Sequence, residues 1–126
     1  NQELILGENI FNENKKVIIS KRDFCDNLKL INTNLSNSTI DCDKISGKAI
    51  LRTRLFGDKI QLINRSFHSS VKKLINENIP NEKKDNLVFI ADENGPIFIE
   101  NIGISDRVKV DNKTKCILSV EIIDRS

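Results

Sequence analysis

The sequence predicts an α+β fold, mainly β, with sandwich-like sheets and one or two short helices. Apolar or alternating runs rich in Ile and Val recur about every eight to twelve residues, which is typical of strands in a pleated, half-buried sheet. Asp92–Gly95 (Asp-Glu-Asn-Gly) separates two such runs and predicts a hairpin, because Asn-Gly tolerates positive φ. One amphipathic stretch, Val71–Ile79, predicts a helix.

Predicted strands follow one another along most of the chain, with a second tight turn at Asp111-Asn112. They are Glu3–Leu6, Lys16–Ser20, Leu28–Asn32, Thr39–Asp41, Lys48–Leu55, Lys59–Ile63, Leu87–Ala91, Pro96–Glu100, Arg107–Val110 and Lys115–Ile123. Their order in the sheets does not follow from the sequence.

The predicted helix has a start signal, an apolar stripe and a stop signal. Ser69 or Ser70 would cap it, since a serine oxygen accepts hydrogen bonds from the free N–H groups of a first turn. Pro80 ends it, because the residue before a proline avoids the α region. Asn81–Asn86 is then a polar turn or a single 3₁₀ turn. The apolar stripe consists of Val71, Leu74, Ile75 and Ile79.

Length and composition predict one soluble domain over residues 1–126, with a leading β segment over 1–45. No apolar run of about 18 residues marks a membrane span, and the start lacks a signal-peptide pattern, so we expect a cytoplasmic location. Cys25, Cys42 and Cys116 are predicted to be reduced, mostly buried thiols. The absence of Met predicts that the chain is a fragment of a longer protein.

The positive charge is concentrated in Ser46–Lys84, which we call the basic segment. It carries nine Lys or Arg residues against three acids, a surplus of +6, whereas the whole chain carries a net charge of +2. Such asymmetry predicts a surface that binds a polyanion. The basic residues are Lys48, Arg52, Arg54, Lys59, Arg65, Lys72, Lys73, Lys83 and Lys84.

Alternation within Lys48–Leu55 predicts that Arg52 and Arg54 project from one face of a strand. Their separation would be roughly 7 Å, close to the phosphate spacing of one nucleic-acid strand. The alternative interpretation is a solvated sheet face on which arginine pairs with aspartate.

Lys72 and Lys73 lie on the exposed side of the predicted helix, near its start. Two ammonium groups and the free N–H groups of a first turn together favour a phosphate. An ordinary solvated helix face is the alternative. Lys83 and Lys84 repeat the charge after Pro80, and three basic clusters of one sign around one helix favour the phosphate interpretation.

No short motif supports a reaction carried out by this chain alone. His68 has no nucleophile pattern around it, and the three cysteines with His68 lack the CxxC pair that nucleates a zinc site. No catalytic residue and no metal site are predicted. Phenylalanines could stack on bases, and Phe67 is a better candidate than Phe89 or Phe98, which are expected in the core. Phe56 is the remaining candidate for base stacking.

An ordered series of short elements over Asp43–Val110 resembles the C-terminal domain of the bacterial tRNA(Ile)-lysidine synthetase (synthase) family. The series runs from alternating arginines through Gly-Asp-basic, a lysine pair, Ile-Pro, a basic residue and a glycine turn to Gly-Ile-Ser-x-Arg, within residues 46–110. The matching residues are Arg52, Arg54, Gly57, Asp58, Lys59, Lys72, Lys73, Leu74, Ile79, Pro80, Lys84, Asp92–Gly95, Gly103, Ile104, Ser105 and Arg107.

The chain departs from the family pattern at several places. Lys59 and Lys84 stand where arginines are usual, which replaces bidentate phosphate contacts by single-point ones. Asn64–His68 replaces a spacer that normally carries glycines, and Val88 replaces a common proline.

The resemblance implies an unusual β-sandwich with helical cover that holds tRNA, at the acceptor stem, for an enzyme that attaches lysine to the wobble cytidine of isoleucine tRNA with a CAU anticodon. ATP and Mg would belong to a catalytic N-terminal domain, whose Ser-Gly-Gly-x-Asp-Ser loop does not occur in these residues. The implied partners are that tRNA, other domains of the same parent chain and a second copy in a homodimer, with no membrane. The predicted tRNA-binding residues are Arg52, Arg54, Lys59, Arg65, Lys72, Lys73, Lys83, Lys84 and Arg107.

Two other functions fit the sequence. The first is a protein-interaction or structural β domain whose basic segment docks an acidic partner, in which case tRNA would bind no better than heparin. The second is a free-standing small enzyme, for which the residues provide no recognisable site.

Overall fold

The computed structural model describes residues 2–23, 39–63 and 69–124. In chain order, the strands are β1 (Gln2–Glu3), β2 (Gly7–Ile10), β3 (Lys15–Asp23), β4 (Thr39–Asp41), β5 (Ile50–Arg52), β6 (Lys59–Ile60), β7 (Ser69–Ser70), β8 (Phe89–Asp92), β9 (Gly95–Ile99), β10 (Gly103–Ile104) and β11 (Cys116–Asp124). The helix α1 spans Val71–Asn78, and short 3₁₀ turns span Cys42–Lys44, Asn81–Asn86 and Asp106–Val108.

Two antiparallel sheets form the body of the molecule. One has the strand order β1-β5-β8-β9-β10, and the other has the order β2-β3-β11-β4. A third, two-stranded sheet pairs β6 with β7 immediately before α1. This arrangement confirms the predicted α+β class with sandwich-like sheets.

The alternation of side chains along β8 explains the layers. Ile90 belongs to an apolar cluster that also contains Val17 and Val120 of the second sheet, so this face packs sheet on sheet. Phe89, its neighbour in sequence, belongs to a second cluster with Leu74 and Ile75 of α1. Because β8 is buried on both faces, its sequence is a largely continuous apolar run and does not alternate between apolar and polar residues.

Helix α1 forms where the apolar stripe predicts it. Val71, Leu74 and Ile75 are buried at helical spacing, and the N–H of Ile79 donates to the carbonyl of Ile75 just before Pro80. Ser70 occupies the N-cap position, but its side chain makes no capping hydrogen bond. The N–H of Val71 instead donates to the carbonyl of Asp58 at 3.0 Å, which fixes the start of the helix to the end of the preceding turn.

The hairpin between β8 and β9 also confirms its prediction. Asp92 pairs with Gly95 across the turn, and Gly95 takes the positive φ of 121° that suits glycine. The N–H of Asn94 donates to Oδ1 of Asp92 at 2.9 Å, so the aspartate side chain closes the turn from inside.

Several predicted strands differ from the observed ones. The strand predicted at Arg107–Val110 is wrong, since Ser105 caps a 3₁₀ turn there by accepting from the N–H of Arg107. The strand predicted at Lys48–Leu55 shrinks to β5, which ends at Arg52. Strands β2, β7 and β10 are absent from the prediction, and the serines of β7 were expected only to cap the helix. The strand predicted at Leu28–Asn32 and the residue Cys25 lie outside the described residues.

Two thiols face each other at the end of the β4–β11 ladder. The ladder includes the pair Asp41–Ile117, and the next residues are Cys42 and Cys116, whose Sγ atoms lie 2.7 Å apart. Both are free and half-buried. Burial, together with the neighbouring Cys116 thiol, raises the pKa of Cys42 to about 12.

We therefore expect Cys42 to resist alkylation. At pH near 8 its reaction with iodoacetamide should be roughly 100-fold slower in the folded chain than in denaturant, because the reactive thiolate is scarce. Peptide mapping by mass spectrometry after timed quenching reads Cys42 separately from the other thiols. A Cys116→Ser control should speed the reaction, and equal rates in folded and unfolded chains would contradict the expectation.

Candidate nucleic-acid interface

The first arginine of the basic segment, Arg52, is not free to bind an external anion. The side chain of Arg52 is buried, and its guanidinium donates to both carboxylate oxygens of Asp58 at 2.9 and 3.0 Å. It also donates to the carbonyl of Thr53 at 2.9 Å and lies 5.6 Å from the centre of the Phe89 ring. Of the two interpretations of this strand, pairing of arginine with aspartate is the observed one for Arg52.

Arg52 and Arg54 therefore do not share a face, contrary to the prediction. Strand β5 ends at Arg52, and the chain then turns through residues 53–58, so the alternation that would align the two side chains stops. Arg54 is exposed and makes no hydrogen bond or ion pair with the described part of the chain. Its guanidinium is available to an external anion.

Lys59 and Arg107 are brought to one cleft of about 390 Å³, which Gln61, Asn94 and Asp106 also line. Lys59 is exposed at the start of β6. These two residues are far apart in sequence, and the bridge between Leu62 and Ser105 is what places their segments side by side.

The guanidinium of Arg107 forms an ion pair with a buried carboxylate. It donates to both oxygens of Asp92 at 2.7 and 2.8 Å, and it approaches the carbonyl of Gly95 at 3.3 Å. About a third of the Arg107 side chain remains exposed, while the Asp92 side chain is fully buried. Arg107 thus holds the β8–β9 turn to the Asp106–Val108 turn and shows only one edge to the cleft.

Burial by itself would raise the pKa of Asp92. The hydrogen bonds from Arg107 and from the backbone N–H groups of Ser46 and Asn94, together with the charge of Arg107, outweigh burial and lower the pKa below its ordinary value. The carboxylate is therefore ionised at neutral pH, and both of its oxygens accept hydrogen bonds.

Helix α1 presents its own group of cations. Lys72 and Lys73 are exposed in the first turn, and Nζ of Lys84 donates to Oδ1 of Asn76 at 2.9 Å. Asn76 lies one helical turn after Lys72 and Lys73, so Lys84 is drawn to the surface that carries the lysine pair. Lys59 pairs with Ser70 in the β6–β7 ladder, so the start of α1 follows directly on the residue paired with Lys59.

Lys83 lies in different surroundings from Lys84. It is exposed but borders a different cleft of about 310 Å³, together with Lys15 and the acids Glu82, Glu100 and Asp124. The surroundings of Lys83 are therefore mixed in sign. Arg65, like His68 and Phe67, lies outside the described residues.

Within the described ranges, no three His, Cys, Asp or Glu side chains are grouped so as to hold a metal ion. No helix in those ranges has the length and apolar character needed to cross a membrane. Of the predicted tRNA-binding residues that the structure describes, Arg54, Lys59, Lys72 and Lys73 are exposed without an ion pair, Lys84 is half-exposed, and Arg107 shows one edge to the cleft.

Sequence reasoning gave pairing of arginine with aspartate only as an alternative for the strand that carries Arg52, and it missed Asp92 as the partner of Arg107. A signal for Asp58 was present, because it is the sole acid between Ser46 and Asn76. Asp92 had only been assigned to a turn, and nothing in the sequence pairs it with Arg107.

The chain is similar in sequence to enzymes of one family. The chain is 32% identical over 109 residues to a tRNA(Ile)-lysidine synthase of Clostridioides difficile, a match that covers 86% of this chain and 23% of the relative. It is 30% identical over 122 residues to a tRNA(Ile)-lysidine synthase of Clostridium tetani, covering 96% of this chain and 26% of the relative. The chain thus spans about a quarter of the length of the curated relatives it matches.

A solved structure with the same fold is a crystal structure of the TilS C-terminal domain. The two superpose with a TM-score of 0.78 over 99% of this chain and 96% of that chain, at 17% sequence identity, which shows a shared fold. No protein-family model matches the chain.

The assignment of Arg52 to the interior predicts a stability effect. Arg52→Met should lower the free energy of unfolding by about 3 kcal/mol, because it leaves the Asp58 carboxylate buried without its counter-charge. Lys72→Ala with Lys73→Ala should change it by less than about 0.5 kcal/mol, since both lysines are solvated. Urea unfolding measures both. If Arg52→Met left the stability unchanged, Arg52 would not be held in a buried ion pair and would count as a free cation.

Ionisation of Asp92 predicts that the free energy of unfolding depends on pH. Because the folded pKa lies below the ordinary value of 3.8, its contribution to stability is present above that value and is lost as pH falls through the folded pKa. Asp92→Asn should therefore cost about 2 kcal/mol near neutral pH and much less at the acid end of the transition.

Urea unfolding at several pH values compares wild type with Asp92→Asn. The matched control is Asp106→Asn, which removes a partly exposed carboxylate 3.2 Å from Lys109 and should matter little at any pH. A cost for Asp92→Asn that does not change with pH would show that the ion pair is not its source.

Proposed function

We propose that this chain, a homologue of the C-terminal domain of tRNA(Ile)-lysidine synthase, holds tRNA for the enzyme of which it forms part. The observation that supports the proposal is the set of exposed cations without ion pairs in the first turn of α1 and in the segment before it. Arg54, Lys59, Lys72 and Lys73 are exposed and make no ion pair with the described residues. A nucleic-acid backbone is the polyanion that such a surface matches.

The binding mode follows from which cations are free. The two arginines best suited to bidentate phosphate contacts, Arg52 and Arg107, are engaged by Asp58 and Asp92. Lysines then supply most of the contacts as point charges without fixed geometry. Such a surface positions a phosphate backbone and does not read bases, so most of its binding energy should be sensitive to salt.

The proposal extends to the substrate and its location. The family resemblance supports isoleucine tRNA with a CAU anticodon as the ligand, gripped at the acceptor stem, in the cytoplasm. The lysine-attaching reaction, with its ATP and Mg, would belong to another part of the parent enzyme, since this chain carries no catalytic motif. Other domains of that enzyme and a second copy of it are the proposed protein partners.

A tRNA titration at two salt concentrations tests the proposal. Binding measured at about 50 mM and about 200 mM salt should weaken steeply, and Lys72→Ala with Lys73→Ala should reduce the salt slope by about 2. An acceptor-stem minihelix should bind nearly as well as whole tRNA, whereas an anticodon stem-loop should bind more weakly.

The matched control removes the same charge elsewhere. Lys113 and Lys115 are exposed, and they lie outside the basic segment, before β11. Lys113→Ala with Lys115→Ala should leave the affinity and salt slope nearly unchanged. Equal losses in the two double variants would indicate attraction by net charge alone. Displacement of tRNA by heparin at an equal concentration of negative charge would favour the acidic-partner alternative.

A further inference from the structure

Large apolar side chains are exposed at two places in the described residues. One is the segment around β2, with Ile5, Leu6 and Ile10. The other is the turn over residues 53–58, where Leu55 is half-exposed and Phe56 is fully exposed. Leaving a phenylalanine in water forgoes the free energy that its burial would release, so a fixed, exposed one in a charged segment points to a ligand.

The turn that carries Phe56 is held rigidly from beneath. The Asp58 carboxylate accepts from the N–H of Leu55 at 2.9 Å, and the N–H of Asp58 donates to the carbonyl of Leu55 at 3.2 Å. Gly57 takes a φ of 86°, which suits glycine and reverses the chain. Arg52 adds the bonds to Asp58 and Thr53, so both ends of the turn are fixed to the buried ion pair.

The free charges near Phe56 in the sequence have one sign. Asp58 is the sole acid between Ser46 and Asn76, and its charge is neutralised by Arg52 inside the molecule. Arg54 precedes Phe56 by two residues and Lys59 follows it by three, and both are exposed. An aromatic ring framed by cations matches a ligand that alternates flat apolar faces with negative charge, which describes single-stranded RNA.

We propose that Phe56 stacks on an unpaired base of bound RNA while Arg54 and Lys59 engage the flanking phosphates. This inference rests on the proposed function and adds to it a contact with bases. Stacking tolerates every base, because each has a π face, so the contact recognises an unpaired nucleotide without selecting its identity.

The test uses the full chain with tRNA, with a single-stranded RNA of about ten nucleotides, and with the same strand made abasic. Phe56→Ala should weaken binding to the base-containing strand about 5- to 100-fold with little change in the salt slope. Binding to the abasic strand should be the same for wild type and Phe56→Ala. Leu6→Ala, at an exposed apolar residue that is outside the basic segment in sequence, serves as the matched control.

A spectroscopic readout distinguishes stacking from other apolar contacts. The chain contains no Trp and no Tyr, so Phe56→Trp introduces a single reporter at the tip of the turn. Its fluorescence should be quenched by the base-containing strand and not by the abasic one. Leu6→Trp, as a control, should respond to neither strand.

Each result has a defined meaning. If Phe56→Ala binds as wild type does while Lys72→Ala with Lys73→Ala is weakened, stacking is wrong and the proposed function stands. If Phe56→Leu keeps wild-type affinity, the contact is apolar and the stacking proposal is overturned. A Phe56→Trp signal that responds to anionic vesicles and not to RNA would also overturn it. Failure of wild type to bind tRNA at low salt removes both proposals.

Discussion

The buried ion pair between Arg52 and Asp58 is the interaction on which the interface depends. It connects the apolar cluster around Phe89 to the turn over residues 53–58, and the carbonyl of Asp58 receives the first N–H of α1. A buried arginine needs a full set of partners, and here two carboxylate oxygens, a carbonyl and an aromatic face provide them. One side chain therefore positions the exposed aromatic turn and the start of the lysine-bearing helix.

The same device recurs at Asp92 and Arg107. In both pairs an arginine engages an aspartate that closes a turn, and the arginine precedes the turn directly at Asp58 but comes from another segment at Asp92. The two arginines belong to the motifs that resemble the tRNA(Ile)-lysidine synthase family, yet their visible role is to hold turns together. Motif residues of a binding domain thus divide into those that shape the surface and those that are free to contact a ligand.

The relatives found by sequence carry the name of the family that the order of short elements had indicated, and the solved structure shows the same fold. Each short element is degenerate by itself, and it is the order of the elements along the chain that indicates the family. The low identity to the solved TilS C-terminal domain, set beside a nearly complete structural match, shows that the fold tolerates wide replacement of side chains. Replacement of arginines by Lys59 and Lys84 fits a surface that attracts phosphates through charge more than through bidentate geometry.

The sequence by itself determined the α+β class, the helix at Val71–Asn78 and the hairpin at Gly95, because periodicity, Pro80 and the Asn-Gly pair act locally. It also indicated the basic segment and the family. Tertiary structure alone decided that Arg52 is buried, that Arg107 is engaged by Asp92, and that Lys83 and Lys84 separate into different surroundings. Alternation predicts which side chains share a face only as far as the strand extends. No local sequence pattern indicates which carboxylate from another segment will lie beside an arginine.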